Sequence, residues 1–253
     1  MTIEDDDDLL GLQRAGKAVA EARDAMLAAV APGVSTAELD HIGLAALKRH
    51  GARSAPMLAV NFPAATCISI NDEAAHGIPS PTRFLQEGDL VNIDVSAELD
   101  GYWADTGASA PVGAVSPVAT RLLEATRGAQ RDAMDAARAG RPMRHLAKAV
   151  QRRADKAGFT VIANLWGHGV GGYLHEAPSV PFVDMPRNTT VLWEGLVLAV
   201  EPFLSTGGTM AYEGDDGWTL HTDDGSIAAQ FEHTMVVTNG KPLVLTASTP
   251  AAA

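Results

Sequence analysis

Residues 92–107, NIDVSAELDGYWADTG, carry two carboxylates, Asp94 and Asp105, on either side of an Asp100-Gly101 turn signal. Leu90 to Ser96 read as one strand and Tyr102 onward as its return. An antiparallel ladder would bring the two acids near each other, where they would repel unless neutralised. Working outward, the same arrangement recurs further along the chain. Glu201 in VLAVEPF and Glu232 in AQFEHTMVV flank a second acidic turn, Gly214 to Gly217. His168 stands in the Gly-rich stretch GHGVGG.

These are four carboxylates and one imidazole in apolar or Gly-rich surroundings. An isolated buried carboxylate costs several kcal/mol even after relaxation. Two divalent cations would supply the matching positive charge. The donor set is rich in oxygen and has one nitrogen, unlike the Cys/His tetrahedra of structural zinc sites. It suits Mn²⁺, Fe²⁺ or Co²⁺, and Zn²⁺ is compatible with it. Such a pair clamps a water, lowers its pKa and polarises a carbonyl. The residues therefore point to a two-metal hydrolase.

The bulk numbers are compatible with that chemistry. The chain has 253 residues, 46% hydrophobic and 20% charged, as in an ordinary soluble globular protein. Its net charge of −12 argues against nucleic acid as the main ligand. A single cysteine, Cys67, excludes an intramolecular disulfide. The opening MTIEDDDD lacks the basic and apolar regions of a secretory signal, and no stretch is apolar for long enough to span a bilayer. A soluble, cytoplasmic monomer is expected. Residues 1–8 read as an acidic start to a helix, 9–245 as one catalytic domain, and 246–253 as a frayed tail.

Helices are expected over residues 9–30, from Ser35 to His50, and over 117–139 and 142–157. Ser35 and Glu38 form a capping-box pattern. Further strands are expected at 67–71, 159–163, 195–203 and 226–237. The order is a helix pair and then strands, twice. Gly33, Leu39 and Gly51 recur as Gly140, Leu146 and Gly158, all at one constant offset. Arg-Asp-Ala-Met occurs at 23–26 and at 131–134. Two related halves follow, with Asp94 and Asp105 in the first and His168, Glu201 and Glu232 in the second. A site at their seam would draw on both.

Three patterns are set aside. Gly167, Gly169 and Gly172 match a dinucleotide fingerprint, but Pro178 and Pro181 leave no room for its helix; the glycines are expected to let backbone approach a ligand. His175-Glu176 opens an H-E-x-x-H whose fifth position is Ser179. Residues 216–225 lack calcium-loop spacing. Of the eight histidines, His41, His50, His145 and His221 read as structural. His233 should point away from the acids, since it follows Glu232 on a strand. His76 and His175 sit in turn-like or Gly-rich segments and could reach a substrate. Cys67 reads as a buried pocket-lining thiol.

CISINDEAAHGIP (67–79), NIDVSAELDGYWADTG, GHGVGGYLHEAP (167–178), EPF (201–203) and GWTLHTDDGSIAAQFEHT (217–234) together resemble the type I methionine aminopeptidases, over about residues 10–240. The resemblance implies an α+β, pita-bread (creatinase/aminopeptidase-like) fold, with pseudo-two-fold halves and antiparallel sheet covered by helices. It implies two divalent ions, with Asp105 and Glu232 bridging, Asp94 completing one and His168 with Glu201 the other. A metal-bridging water or hydroxide would attack, with Glu201 managing its proton. His175 would bond the scissile carbonyl, and His76 the substrate amide nitrogen. Phe62, Cys67, Leu174 and Trp218 would line the methionine pocket. Substrates would be peptides and nascent proteins beginning with Met, preferably with a small second residue, and transient ribosome contact would fit. Members often carry two tyrosines where this chain has Ala59 and Phe62, and a phenylalanine where it has Leu174. The interval from His175 to Glu201 is too short to hold the type II insertion. A proline-specific peptidase relative, or a non-catalytic binding protein on the same fold, are the alternatives.

Overall fold

In the computed structural model, which describes residues 1–248, Asp5 opens the first helix by accepting the Asp8 N–H. Asp6, Asp7 and Asp8 fill the first turn, where the helix dipole favours negative charge. That cap starts α1 (Asp6–Ala28) earlier than the apolar periodicity predicts. The first half continues through α2 (Thr36–Arg49), β1 (Arg53–Ser54), α3 (Ala55–Ala59), β2 (Cys67–Ile70), β3 (Glu73–Ala75), β4 (Leu90–Leu99) and β5 (Tyr102–Pro111). The second runs through α4 (Pro117–Ala136), α5 (Arg144–Ala157), β6 (Thr160–Val161), β7 (Gly167–Gly169), β8 (Glu176–Val180), β9 (Val197–Val200) and β10 (Phe203–Ser205). It ends with β11 (Ala211–Glu213), β12 (Leu220–Thr222), β13 (Ala228–Gln230), β14 (His233–Val236) and β15 (Leu243–Val244).

The capping box is present: Ser35 Oγ accepts the Glu38 N–H, and Glu38 Oε2 accepts the Ser35 N–H. The short α3 has no counterpart among the expected helices. It is a single turn started by Ser54 with a proline in its first turn, too short to show periodicity. The expected strand at 195–203 divides into β9 and β10, and that at 226–237 into β13 and β14. Pro202 stands in the first gap and has no N–H for a ladder. Glu201 occupies that gap too, and Glu232 the other, so both acids fall where the ladder is broken.

Each half packs its helix pair on its own sheet. In the first, Leu39, Leu47, Ile68 and Ile93 lie in one core cluster; in the second, Leu122, Leu146, Phe182 and Leu198 lie in another. The sequence repeat extends into conformation. Gly33 and Gly140 have φ of 87° and 79°, and Gly51 and Gly158 have 73° and 76°. Gly33 donates to Leu85 O and Gly140 to Leu192 O, both at 2.8 Å. The starts of β4 and β9, Leu90 and Val197, are related by the same offset as these glycines.

The halves are stitched together by strand pairing. β3 of the first pairs antiparallel with β12 of the second. At the centre, Glu232 N–H donates to Gly107 O at 2.8 Å, and Asp105 N–H to Thr234 Oγ1 at 2.9 Å. The tail expected from Thr246 gives way in part. Thr246 is fully buried and its hydroxyl accepts the Thr234 N–H, so the chain is anchored there; residues 249–253 lie outside the described residues. Among the described residues, no helix is long and apolar enough to cross a membrane.

Candidate metal centre

The β4–β5 hairpin sets Asp94 opposite Gly107 and Asp105 opposite Ser96. The acids are therefore diagonal neighbours on one face of the ladder. Cys67 on β2 pairs with Asp94 from the other side. In the second half, His168 on β7 is registered with Ala199 on β9, and Glu201 follows in the gap just after that strand. Glu232 closes the group from the gap before β14. The structure thus gathers five residues from both halves at the seam. Ligand atoms of Asp105, His168 and Glu232 lie within 4.8 Å of one another. His168 Nε2 lies 3.3 Å from Glu201 Oε1 and 3.7 Å from Asp105 Oδ2.

The electrostatics describe negative charge without enough compensation. Asp94 is pushed well above the usual carboxylate range, first by burial and then by Asp105 and Glu201. Glu232 is raised in the same way, by burial and then by Asp105. Glu201 is raised by burial against the opposing pull of His168. Burial works to lower His168, but its hydrogen bond to Glu201 and the charges of Glu201 and Asp105 prevail, and it rises to about 9. Asp105 Oδ1 and Glu232 Oε1 are buried with no hydrogen-bond partner. Orphaned buried carboxylate oxygens, each facing other acids, are what divalent cations would satisfy. His168 Nδ1 lies 2.9 Å from Gly169 O. A proton on Nδ1 shared with that carbonyl leaves Nε2 free as a donor to metal.

Two cavities meet here. The larger, about 390 Å³, is lined by Asp94, Asp105, His168, Glu201 and the two histidines His76 and His175. The smaller, about 120 Å³, shares Asp94, Asp105, His76 and His175 and extends to Phe62, Cys67, Leu174 and Trp218. Phe62 and Trp218 meet edge to face with centroids 5.1 Å apart. All four expected pocket residues are brought together; Pro56 and Val60, at either end of α3, join them. The Cys67 thiol is raised by burial and by Asp94, which favours the thiol over the nucleophilic thiolate. His175 packs against His168, with ring centroids 4.4 Å apart, and burial together with His168 lowers it to about 4. Burial lowers His76 too, with Asp105 opposing. Both are neutral near pH 7. His76 also sits at a φ of 56°, a strained position for a residue with a side chain.

Gln230 and Asn92 are absent from the residues that the sequence singles out. Gln230 Nε2 donates to Glu232 Oε2 at 3.1 Å, and Asn92 Nδ2 donates to Gln230 Oε1 at 2.9 Å. Each lies two positions before an acid, hence on the same strand face, and that spacing is the available signal. The glycines of the Gly-rich stretch also meet neighbouring strands. A side chain at Gly167 would collide with the Ala199 carbonyl, and one at Gly169 with that of Ala177. Both admit neighbouring strands, and Gly167 also lines the larger cavity beside His168. His233 turns away from the acids to Thr246 Oγ1, 2.9 Å off, and His50 and His221 pair with Glu21 and Asp72.

The model of metallopeptidase family M24 matches residues 11–239. The chain is 44% identical to methionine aminopeptidase 2 of Bacillus subtilis, over 97% of this chain and 99% of that one. The chain belongs to the methionine aminopeptidases of family M24. It is 41% identical to the methionine aminopeptidase of Aquifex aeolicus, over 93% of this chain and 94% of the relative. The methionine aminopeptidase structure from Rickettsia prowazekii superposes with a TM-score of 0.93 at 34% identity, covering 98% of this chain and all of that one. Prolidase from Pyrococcus furiosus shares the fold, with a TM-score of 0.76 at 22% identity, and this chain covers 66% of it. This family is built on the pita-bread fold, an α+β arrangement of two related halves.

Proposed function

We propose that the chain removes the N-terminal methionine from peptides and nascent proteins, preferring a small second residue. The observation that carries this reading is the junction of the two cavities. A polar chamber with the metal ligands opens into a small apolar one, and Asp94, Asp105, His76 and His175 stand on both. A free amino terminus at the acids places the first side chain in the apolar chamber. An unbranched, polarisable methionine suits a narrow space between Phe62, Leu174 and Trp218.

In this reading Asp105 and Glu232 would serve both divalent ions, Asp94 would serve one, and His168 with Glu201 the other. Such ions polarise the scissile carbonyl and lower the pKa of water. The chain's own groups do the rest. Glu201, set at the seam beside His168, would accept the proton of the attacking water. His175, neutral near pH 7, donates an N–H to the developing oxyanion. His76, held by its strained backbone, meets the amide nitrogen and assists its departure as an amine.

The test is an assay on Met-Ala-Ser with Mn²⁺ or Co²⁺ added to purified protein. Release of free methionine, faster than cleavage of an X-Pro peptide, is expected. No release under saturating metal would overturn the reading, and faster X-Pro cleavage would replace it with a proline-specific one.

A further inference from the structure

Arg-Asp-Ala-Met occurs once in α1 and once in α4, and its residues do not share one fate. Met26 and Met134 are both buried. Arg131 is exposed, whereas Arg23 is only 4% exposed. A buried guanidinium costs several kcal/mol unless its donors are met. The tetrapeptides lie one residue out of step with the Gly33/Gly140 repeat, so the α4 position matching Arg23 is Gln130, which is also buried, and the guanidinium is particular to the first half.

The Arg23 donors are met by groups that lead to the metal centre. Nε and Nη2 bond Asp24 Oδ1 at 3.0 and 2.8 Å, and Nη2 also reaches Ser248 Oγ at 2.9 Å. Nη1 donates to Thr106 Oγ1 at 2.6 Å and to Thr246 O at 3.2 Å. Two branches leave from there. In one, the Thr106 hydroxyl donates to the Glu232 carbonyl at 2.9 Å. In the other, Thr246 Oγ1 accepts the Thr234 N–H at 3.1 Å, and Thr234 Oγ1 both accepts the Asp105 N–H and donates to the Asp105 carbonyl, at 2.9 and 2.7 Å. Thr106, Thr234 and Thr246 are fully buried. One side chain from the first half and one residue near the chain's end therefore hold, from behind, the backbones of two acids contributed by different halves.

We propose that Arg23 and Thr246 are positioning residues of the metal centre, fixing the separation of the Asp105 and Glu232 backbones across the seam. The inference rests on the reading that these acids hold the ions jointly. Carboxylates that share ions tolerate little drift, because both ions lose a ligand when either backbone moves. Groups behind metal ligands commonly carry about 10–100-fold in metal affinity.

Mn²⁺ titration by calorimetry, with thermal melts of each metal-free protein, tests this. The proteins are the wild type, Thr246→Val, Thr246→Ser, Arg23→Lys, Arg23→Met and Asp105→Asn. Thr246→Val keeps the shape and loses the hydroxyl; it is expected to weaken Mn²⁺ binding about tenfold. Thr246→Ser should restore it. Arg23→Lys, which keeps charge but not the fork, should lose as much or more. Folded Thr246→Val and Arg23→Lys proteins that bind Mn²⁺ like the wild type would overturn the proposal. Weakening by serine as severe as by valine would do so too, since it would trace the effect to packing. Should Arg23→Met fail to fold, the valine and serine pair decides alone. Asp105→Asn separates the two levels: if it keeps full metal binding, the reading of the joint acids has failed; if it loses metal while Thr246→Val does not, only the positioning role has.

Discussion

Gly33 and Gly140 share a left-handed backbone and the same hydrogen bond to a leucine carbonyl, yet the sheets they lead to differ. The first half presents Asp94 and Asp105 from an unbroken hairpin, β4 and β5. The second presents Glu201 and Glu232 from a hairpin broken at both acids, and adds His168 from a third strand. Asp94 and Glu201 are themselves related by the same offset as Gly33 and Gly140, so the repeat reaches the site. The shorter aspartates come from a continuous ladder and the longer glutamates from its gaps. The comparison teaches that the repeated backbone supplies matching positions, while the chemistry comes from how each half departs from the other. Among the candidate metal ligands, the first half contributes charge alone. The other contributes charge, an imidazole and, in the proposed mechanism, the proton acceptor.

The largest effects should come where the halves meet. Asp105→Ala and Glu232→Ala, one from each half, are each expected to abolish methionine release and to weaken binding of both ions. Activity assays with metal analysis check this; near-normal turnover by either variant would break the joint role.

Next comes the matched pair. Asp94→Asn and Glu201→Gln should both weaken one ion. Glu201→Gln should lower kcat further at saturating metal, by about 10²-fold or more, because it also removes the proton acceptor. Equal kcat losses would show the two positions to be alike in function as well as in place. His76→Ala and His175→Ala should lower kcat by about 10²–10⁴-fold with metal content unchanged. Loss of metal in either would make that histidine a ligand.

A moderate effect concerns pH. His168 has a pKa of about 9 in the folded chain, above its unfolded value of about 6.5. Its contribution to the stability of metal-free protein is therefore full below about pH 6.5 and is lost as pH rises through 9. The raised carboxyls of Asp94, Glu201 and Glu232 act in the same sense from lower pH. Melting temperatures at pH 6 and 9.5 should fall without metal and hold with saturating Mn²⁺, which takes the place of the protons. A metal-free melting temperature that rises over this range would contradict the charge balance drawn here.

The smallest effect tests the repeat alone. Gly33 and Gly140 have open space where a side chain would go, so only the backbone conformation opposes alanine. Gly33→Ala and Gly140→Ala should each cost about 1 kcal/mol in denaturant unfolding. A clear difference between them would show that matching geometry does not mean matching energetics.

Much of the fold and site is legible in the sequence because it is local. The capping box, the Asp100-Gly101 turn and the left-handed glycines are set by neighbours close in the chain. Four acids and an imidazole in apolar or Gly-rich stretches announce a shared counter-charge. What escapes a sequence reading is short or distant. α3 spans barely one turn. Thr246 reads as a frayed end, since nothing in Thr-Ala-Ser shows that Arg23, far away near the other terminus, will reach its carbonyl. The crowding of Gly167 and Gly169 by the Ala199 and Ala177 carbonyls exists only once the strands pair.

The sequence by itself determined the cluster of acids and an imidazole, the two related halves and the ladder face that Asp94 and Asp105 share, because side-chain chemistry and periodicity are properties of the chain. Tertiary structure alone decided that donors from both halves converge within 4.8 Å, that a narrow apolar chamber opens beside them, and that Arg23 is buried against Thr106 and Thr246. Those outcomes depend on how two sheets meet at a seam. No local pattern encodes that meeting, since its energy comes from contacts between residues far apart in the chain.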